Sequence, residues 1–311
     1  MIFKNTKKTK NGFVLATVLW IIAGLMLVAL LVAFIAKDTV KLSTGVEQKL
    51  QAKLKARSIL EQLKFYISTS NYDNTSLLNN HFTQLGATYP TKIILDGRWY
   101  QLSKNIRFRI KDSSAAFSVF ALNPYIFSKY VTQDIAKQSM IEDSILDWLD
   151  PDNELRLSGA ESYYYKNQKQ VKYHPSNLYR LQDPAELELI RGIDSLSKKE
   201  LATVRENTYY MNGRQVNLAL ASPKMLSAYL NITLSQALSL VTLRKENLQN
   251  FARELRRFDG YNEDTMGFAL SKQFIIEIEV KQKQAKAILK SIINFKANKD
   301  HFYTVISEQS Y

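Results

Sequence analysis

The chain has no cysteine in 311 residues, so it can form no disulfide, hold no metal through a thiolate and present no thiol nucleophile. It is compatible with an oxidising compartment without requiring one. Glycine is scarce, with ten residues, and none falls in a phosphate-cradling loop or a Gly-x-Ser-x-Gly turn. The three histidines, His81, His174 and His301, are scattered and lack metal-ligand spacing. These gaps remove the common nucleophile, phosphate and zinc chemistries, and the chain reads as a non-enzyme. Acidic residues are also missing ahead of Asp38, whereas Lys4, Lys7, Lys8 and Lys10 crowd the start.

What stands in that stretch is an uncharged run of 24 residues from Phe13 to Ala36. At ~1.5 Å per residue such a helix reaches about 36 Å, enough to cross a hydrocarbon core of ~30 Å with some tilt. A secretory signal peptide has a shorter apolar region and a small-residue cleavage site behind it. Here Phe34, Ile35, Ala36 and Lys37 run straight on into a polar helix. The lysines retain the amino terminus in the cytoplasm and send residues from Lys37 onward across the membrane. An ordinary single-pass anchor satisfies all of this; so does a span whose leader is cut at the Gly12–Phe13 bond.

Beyond the span, Val46, Leu50, Leu54, Ile59, Leu60, Leu63 and Ile67 recur at three- and four-residue spacing with lysines and arginines between them, which predicts that the same helix continues to about Ser68. A polar loop over residues 68–80 follows. Residues 98–102, 106–110 and 117–122 have strand character and suggest an antiparallel meander; residues 123–257 are dominated by helical spacing; strand character returns at 274–280, 285–295 and 302–306. Short strands on either side of a helical block need a common partner surface, and the long helix supplies one. The expectation is an α+β chain: a spine helix packed on an antiparallel sheet, with an all-helical domain inserted in the sheet. The divisions are 1–12 for a leader, 13–36 for the span, 37–122 for the amphipathic helix and first strands, 123–265 for the insert and 266–311 for the returning strands.

Residues 144–165, SILDWLDPDNELRLSGAESYYY, resemble the Asp-Trp-x-Asp-x-Asp-x-Glu, Arg, Gly-Ala-Glu, Tyr-Tyr signature of the K-type minor pseudopilins of type II secretion systems. Gly12-Phe13 with Val18-Leu19-Trp20 resembles that family's cleavage junction and span, DPAELELIRGID over 183–194 its second helical motif, and residues 216–229 a third. The family's run entering the helical block is not matched by AAFSVFALN over 115–123. The resemblance implies a pilin-like fold, a prepilin peptidase that cuts between Gly12 and Phe13, methylation of the new amino terminus, and anchorage in a bacterial inner membrane with the bulk of the chain periplasmic. It also implies a heteromeric pseudopilus tip with I- and J-type minor pseudopilins, which starts pseudopilus assembly and meets secreted proteins or the outer-membrane channel. Mature position five is Thr17, where ordinary pilins carry Glu; without that carboxylate, one ion pair to a subunit stacked above is lost. Leu50, Leu54, Leu60 and Leu63 are the expected assembly surface of the helix.

Asp147, Asp150, Asp152, Glu154 and Glu161 place five carboxylates within fifteen residues. Asp150, Asp152 and Glu154 alternate like the first ligands of a calcium loop, but Leu155 stands where an EF-hand needs Gly and no Glu closes the loop. A solvated acidic turn with Asp147 or Asp150 paired to Arg156 accounts for the same residues. The resemblance favours calcium, since K-type pseudopilins carry it in this domain. Trp148 is expected to anchor the insert core, and one of the tyrosines 163 to 165 to pack its loop down. The net charge of +13 is spread along the chain, so no nucleic acid is expected as partner; a membrane-anchored nucleic-acid binder of the competence type is the alternative.

Overall fold

The computed structural model describes residues 11–79, 89–167, 175, 178–210, 215–296 and 302–311. The lysine-rich leader up to residue 10, all three histidines and most of the turn expected at residues 296–300 lie outside that range. Helix α1, Asn11–Ser68, is a single element of 58 residues. Proline is missing from it, and both of its described interior glycines, Gly24 and Gly45, sit in open space, so nothing breaks or crowds the backbone ladder.

Strands β1 (Asn71–Tyr72), β2 (Ser76–Leu78) and β3 (Lys92–Ile94) form a small antiparallel sheet, the first two of them within residues 68–80, where a polar loop was expected. Its signal is weak because Leu77 and Ile93 are its only buried apolar side chains; the third buried residue, Ser76, is polar, and the rest is exposed or half-exposed. Strands β4 (Asp96–Ser103) and β5 (Ile106–Asp112) are the first hairpin of the main sheet. The chain then passes through β6 (Phe117–Ser118), helices α2 (Pro124–Val131), α3 (Ile135–Leu149), α4 (Ser162–Lys166) and α5 (Lys198–Asn207), strands β7 (Thr208–Tyr209) and β8 (Val216–Asn217), helices α6 (Pro223–Leu230), α7 (Leu234–Glu246) and α8 (Leu248–Leu255), and β9 (Met266–Gly267). It returns as β10 (Gln273–Gln282), β11 (Ala285–Asn294) and β12 (Thr304–Ser310).

The main sheet has the order β12-β11-β10-β5-β4, all neighbours antiparallel. Because β5 and β10 are hydrogen-bonded neighbours, the chain leaves the sheet after Asp112 and comes back beside the same strand at Gln273. Loop-closure entropy grows only logarithmically with length, so so long an excursion is tolerated once it has a core of its own. It has one. Phe117, Phe127, Trp148, Tyr165, Leu187, Leu226 and Phe251 are among its buried members, separate from the core between α1 and the sheet.

Period-two alternation sets the sheet's faces. Phe274, Ile276, Ile278 and Val280 of β10 pack toward Leu60, Leu63 and Ile67 of α1. On the opposite face Glu279 pairs with Arg107 at 2.7 Å and Glu277 with Arg109 at 2.5 Å, and both guanidinium groups lie over the Trp99 ring at 4.3 and 4.9 Å.

Two expectations are corrected. Residues 117–122 are not the third strand of a meander: Phe117–Ser118 pairs in parallel with β7, and Val119–Ala121 is a 3-10 turn. The cause is the ring of Phe117, which lies against Phe127, Tyr130 and Tyr229 and so belongs to the core of the inserted block. Nor is that block all helical, since β6 with β7 and β8 with β9 form short parallel pairs at its junction with the sheet. Within it, Pro184–Leu189 is a 3-10 helix whose capping box joins Asp183 and Glu186.

Candidate functional site: the spine helix and a buried carboxylate cluster

Every residue of α1 from Val14 to Glu47 is exposed, and none of its most apolar window is buried. An apolar face of this length without a protein partner belongs in lipid, where a helix satisfies its own backbone. It is a single N-terminal membrane anchor. Thr17 lies on this bare surface, and Gly12 and Phe13 are in the first turns of α1.

Further along, α1 carries two apolar faces where the spacing suggested one. Ala52, Ala56, Ile59, Leu60, Leu63 and Ile67 are buried against the sheet. Leu42, Val46, Leu50 and Leu54, four residues apart in turn, remain 56 to 71 % exposed. Leu54 and Ala56 are two positions apart, about 200° around the helix, so the two rows point in opposite directions. The assembly surface read from the sequence is corrected accordingly. Leu60 and Leu63 belong to this chain's own core, while Leu50 and Leu54 are free to meet a partner, with Leu42 and Val46 extending the row.

The acidic segment follows α3. Asp147 is in the last turn of α3, facing inward and fully buried; Asp150 is the helix's C-cap; Glu161 precedes the first turn of α4 and is also buried. One carboxylate oxygen of each lies within 4.8 Å of those of the other two. Arg156 reaches back between them: its Nη1 donates to Asp147 Oδ1 and to Asp150 Oδ2, each at 2.5 Å, and its backbone amide donates to Asp147 Oδ2 at 3.4 Å. Gly159 is required here, because a β-carbon at that position would overlap Asp147 Oδ2.

One guanidinium does not satisfy three carboxylates. Asp150 Oδ1 and both oxygens of Glu161 are buried without a hydrogen-bond partner. Burial, reinforced by the charges of Asp147 and Asp150, pushes the Glu161 carboxyl above its ordinary value. The donor set is three carboxylates, each offering one oxygen, with no nitrogen or sulfur, which fits a hard cation of the calcium kind better than zinc. Orphaned buried acceptors are costly, and these three oxygens are what Arg156 leaves without a partner.

Asp152 and Glu154, also expected as ligands, stay exposed at the loop tip. The Asp152 carboxylate accepts the backbone amide of Glu154 at 2.8 Å, and neither residue joins the cluster. Alternating spacing does not converge here because the loop turns back on itself, bringing Glu161 to Asp147 instead. Trp148 is buried, its indole donates to Glu186 Oε2 at 3.3 Å, and Tyr165 meets it edge-on at 4.9 Å between ring centres, with Tyr163 left 81 % exposed.

Residues 130–204, from the end of α2 into α5 and including this cluster, match the family described as type II secretion system (T2SS), protein K. The match covers the acidic cluster and the helices on both sides of it. The likeness to K-type minor pseudopilins is thereby borne out on the stretch that carried most of it. The fold as a whole is similar to a chain in the crystal structure of the GspK-GspI-GspJ complex from the enterotoxigenic Escherichia coli type 2 secretion system. The TM-score is 0.56 over 88 % of this chain and 99 % of that one, at 15 % identity, so the likeness is one of fold. No curated protein matches the sequence at a significant level. The matched segment thus lies within the block inserted between β5 and β10 of the sheet that packs on α1.

Proposed function

We propose that this chain is a K-type minor pseudopilin that caps the periplasmic tip of a type II secretion pseudopilus, a structural and not a catalytic role. The observation that carries the reading is the inserted block, with its segment similar to the protein K family, emerging from between β5 and β10 of a sheet carried by α1. Subunits of a shaft stack their spine helices closely, and a domain of this bulk beside the sheet leaves room for itself only at the end. Thr17 supports the same position, because it lacks the carboxylate that pairs with a neighbouring amino terminus. In this reading prepilin peptidase cuts after Gly12, Phe13 is methylated, and α1 holds the chain in the inner membrane with its amino terminus cytoplasmic. I- and J-type minor pseudopilins pack on the exposed row from Leu42 to Leu54. The tip so formed starts pseudopilus growth and touches secreted proteins or the outer-membrane channel during export. Calcium held by Asp147, Asp150 and Glu161 fixes the loop that closes the protein K domain.

Co-expression with the I- and J-type subunits tests the assembly. The full-length protein should co-purify with both in a complex containing one copy of each, and labels on it should mark one end of pseudopili. Labels along the filament length would overturn the tip position.

Calcium has its own test. A ligand at a hundredfold excess over Kd stabilises a protein by about 2.7 kcal/mol, or roughly 5 to 10 °C in melting temperature for a domain of this size. Full-length protein in detergent should therefore melt lower in chelator than in calcium, and Glu161→Gln should shrink the difference. Equal wild-type melts would remove calcium from the reading.

A further inference from the structure

The carboxylate cluster already contains a cation, and it is placed where a metal would have to go. Nη1 of Arg156 lies 2.5 Å from Asp147 Oδ1 and 2.5 Å from Asp150 Oδ2. Calcium bonds carboxylate oxygens at about 2.3–2.6 Å, so an ion held by these two oxygens needs the volume that Nη1 fills. The two occupants cannot coexist. The unpartnered oxygens of Asp150 and Glu161 show what the guanidinium leaves undone, since its Nη1 reaches two carboxylates and not the third. The Arg156 side chain is 37 % exposed and rises from the loop that carries Leu155 and Leu157 into solvent, so it has a route out.

We infer that Arg156 is a built-in competitor for the cation site: it stands in for the metal between Asp147 and Asp150 and must swing out when a divalent cation binds. This rests on the calcium reading of the cluster and adds a switch to it. Charge favours both states over an empty site. Three carboxylates with the guanidinium carry −2 (three negative, one positive), and with a divalent ion in its place they carry −1. Removing a partner from a buried carboxylate is strongly unfavourable, so the arginine keeps the metal-free domain folded. The consequence is that the loop answers to a higher calcium concentration than the bare carboxylates would. Arg156 is therefore a tuning residue, acting on the metal through the ligands it occupies.

The test uses full-length, metal-stripped protein in detergent micelles, titrated with calcium chloride in a calorimeter. Arg156→Gln should bind calcium at least tenfold more tightly than wild type, with Arg156→Lys in between, because lysine keeps the positive charge but its shorter side chain does not place it where Nη1 sits. In chelator Arg156→Gln should melt below wild type, and saturating calcium should close the gap. Should Arg156→Gln be unfolded without metal, the wild type supplies the answer alone: in nitrogen-15 spectra the Arg156 guanidinium resonances should shift and exchange faster with water on calcium addition. If Arg156→Gln binds calcium equally or more weakly, or the wild-type resonances stay put while the wild type binds calcium, the competitor assignment is wrong. Calcium binding by Arg156→Gln but not by wild type would uphold the competitor and defeat the calcium reading of the native protein; binding by neither would overturn both.

Discussion

Leu63→Asp is expected to unfold the membrane-distal part of the protein, whereas Leu54→Asp, nine residues earlier on the same helix, should leave it folded and remove it from its complex. Leu63 is fully buried between α1 and the sheet. Truncating such a leucine costs about 2 to 5 kcal/mol, and placing an unpaired carboxylate in the gap adds a desolvation penalty of several more. The sum is on the order of the whole stability of a domain, ~5 to 15 kcal/mol. Leu54 is 58 % exposed, so the same change there should alter stability by no more than about 0.5 kcal/mol. If the row from Leu42 to Leu54 meets partner subunits, an aspartate at its end nearest the sheet buries a charge on assembly and should weaken the I- and J-type complex by tenfold or more. Circular dichroism with a thermal melt reads the first effect and co-purification the second. A folded Leu63→Asp protein would contradict the core described here; a Leu54→Asp protein that still co-purifies in full would move the interface elsewhere.

Processing at the amino terminus should respond as completely. With Gly12 replaced by Leu, the protein should persist as a precursor carrying the leader of residues 1–12, while wild type should begin at methylated Phe13. A small residue is what lets the backbone enter a peptidase cleft at the membrane surface, and a branched side chain at that point should block the cut altogether. Intact mass measures length and methylation together. Identical masses for the two proteins would reduce α1 to an ordinary anchor, without touching the fold that follows it.

The two apolar faces of α1 show where sequence reading stops. A stripe from Val46 to Ile67 is legible at three- and four-residue spacing, but the residues that decide its orientation are Ala52 and Ala56, whose small side chains let the helix approach the sheet closely. Alanine has high helix propensity in any surroundings and gives no sign of which side it faces. The same holds for the acidic loop. Local spacing singled out Asp150, Asp152 and Glu154, and two of these remain in solvent, since convergence depends on the path taken between Asp150 and Glu161. Gly159 was the available clue: in a chain this poor in glycine, one beside a cluster of acids signals a close approach.

What the sequence determined by itself is what short-range physics controls: a span long enough for lipid, one helix uninterrupted by proline, strands with period-two alternation such as β10, and a helical block whose motifs resemble the K type. The tertiary structure decided everything that depends on which distant segments meet. The β5–β10 pairing joins residues far apart in the chain, and the ring of Phe117 draws its segment into the insert and away from the sheet. The insert's return also leaves Leu50 and Leu54 bare while covering Leu60 and Leu63. Finally, the turn between α3 and α4 puts Arg156 among three carboxylates, a placement no spacing rule contains, because it is the packing of Gly159 against Asp147 that closes the loop.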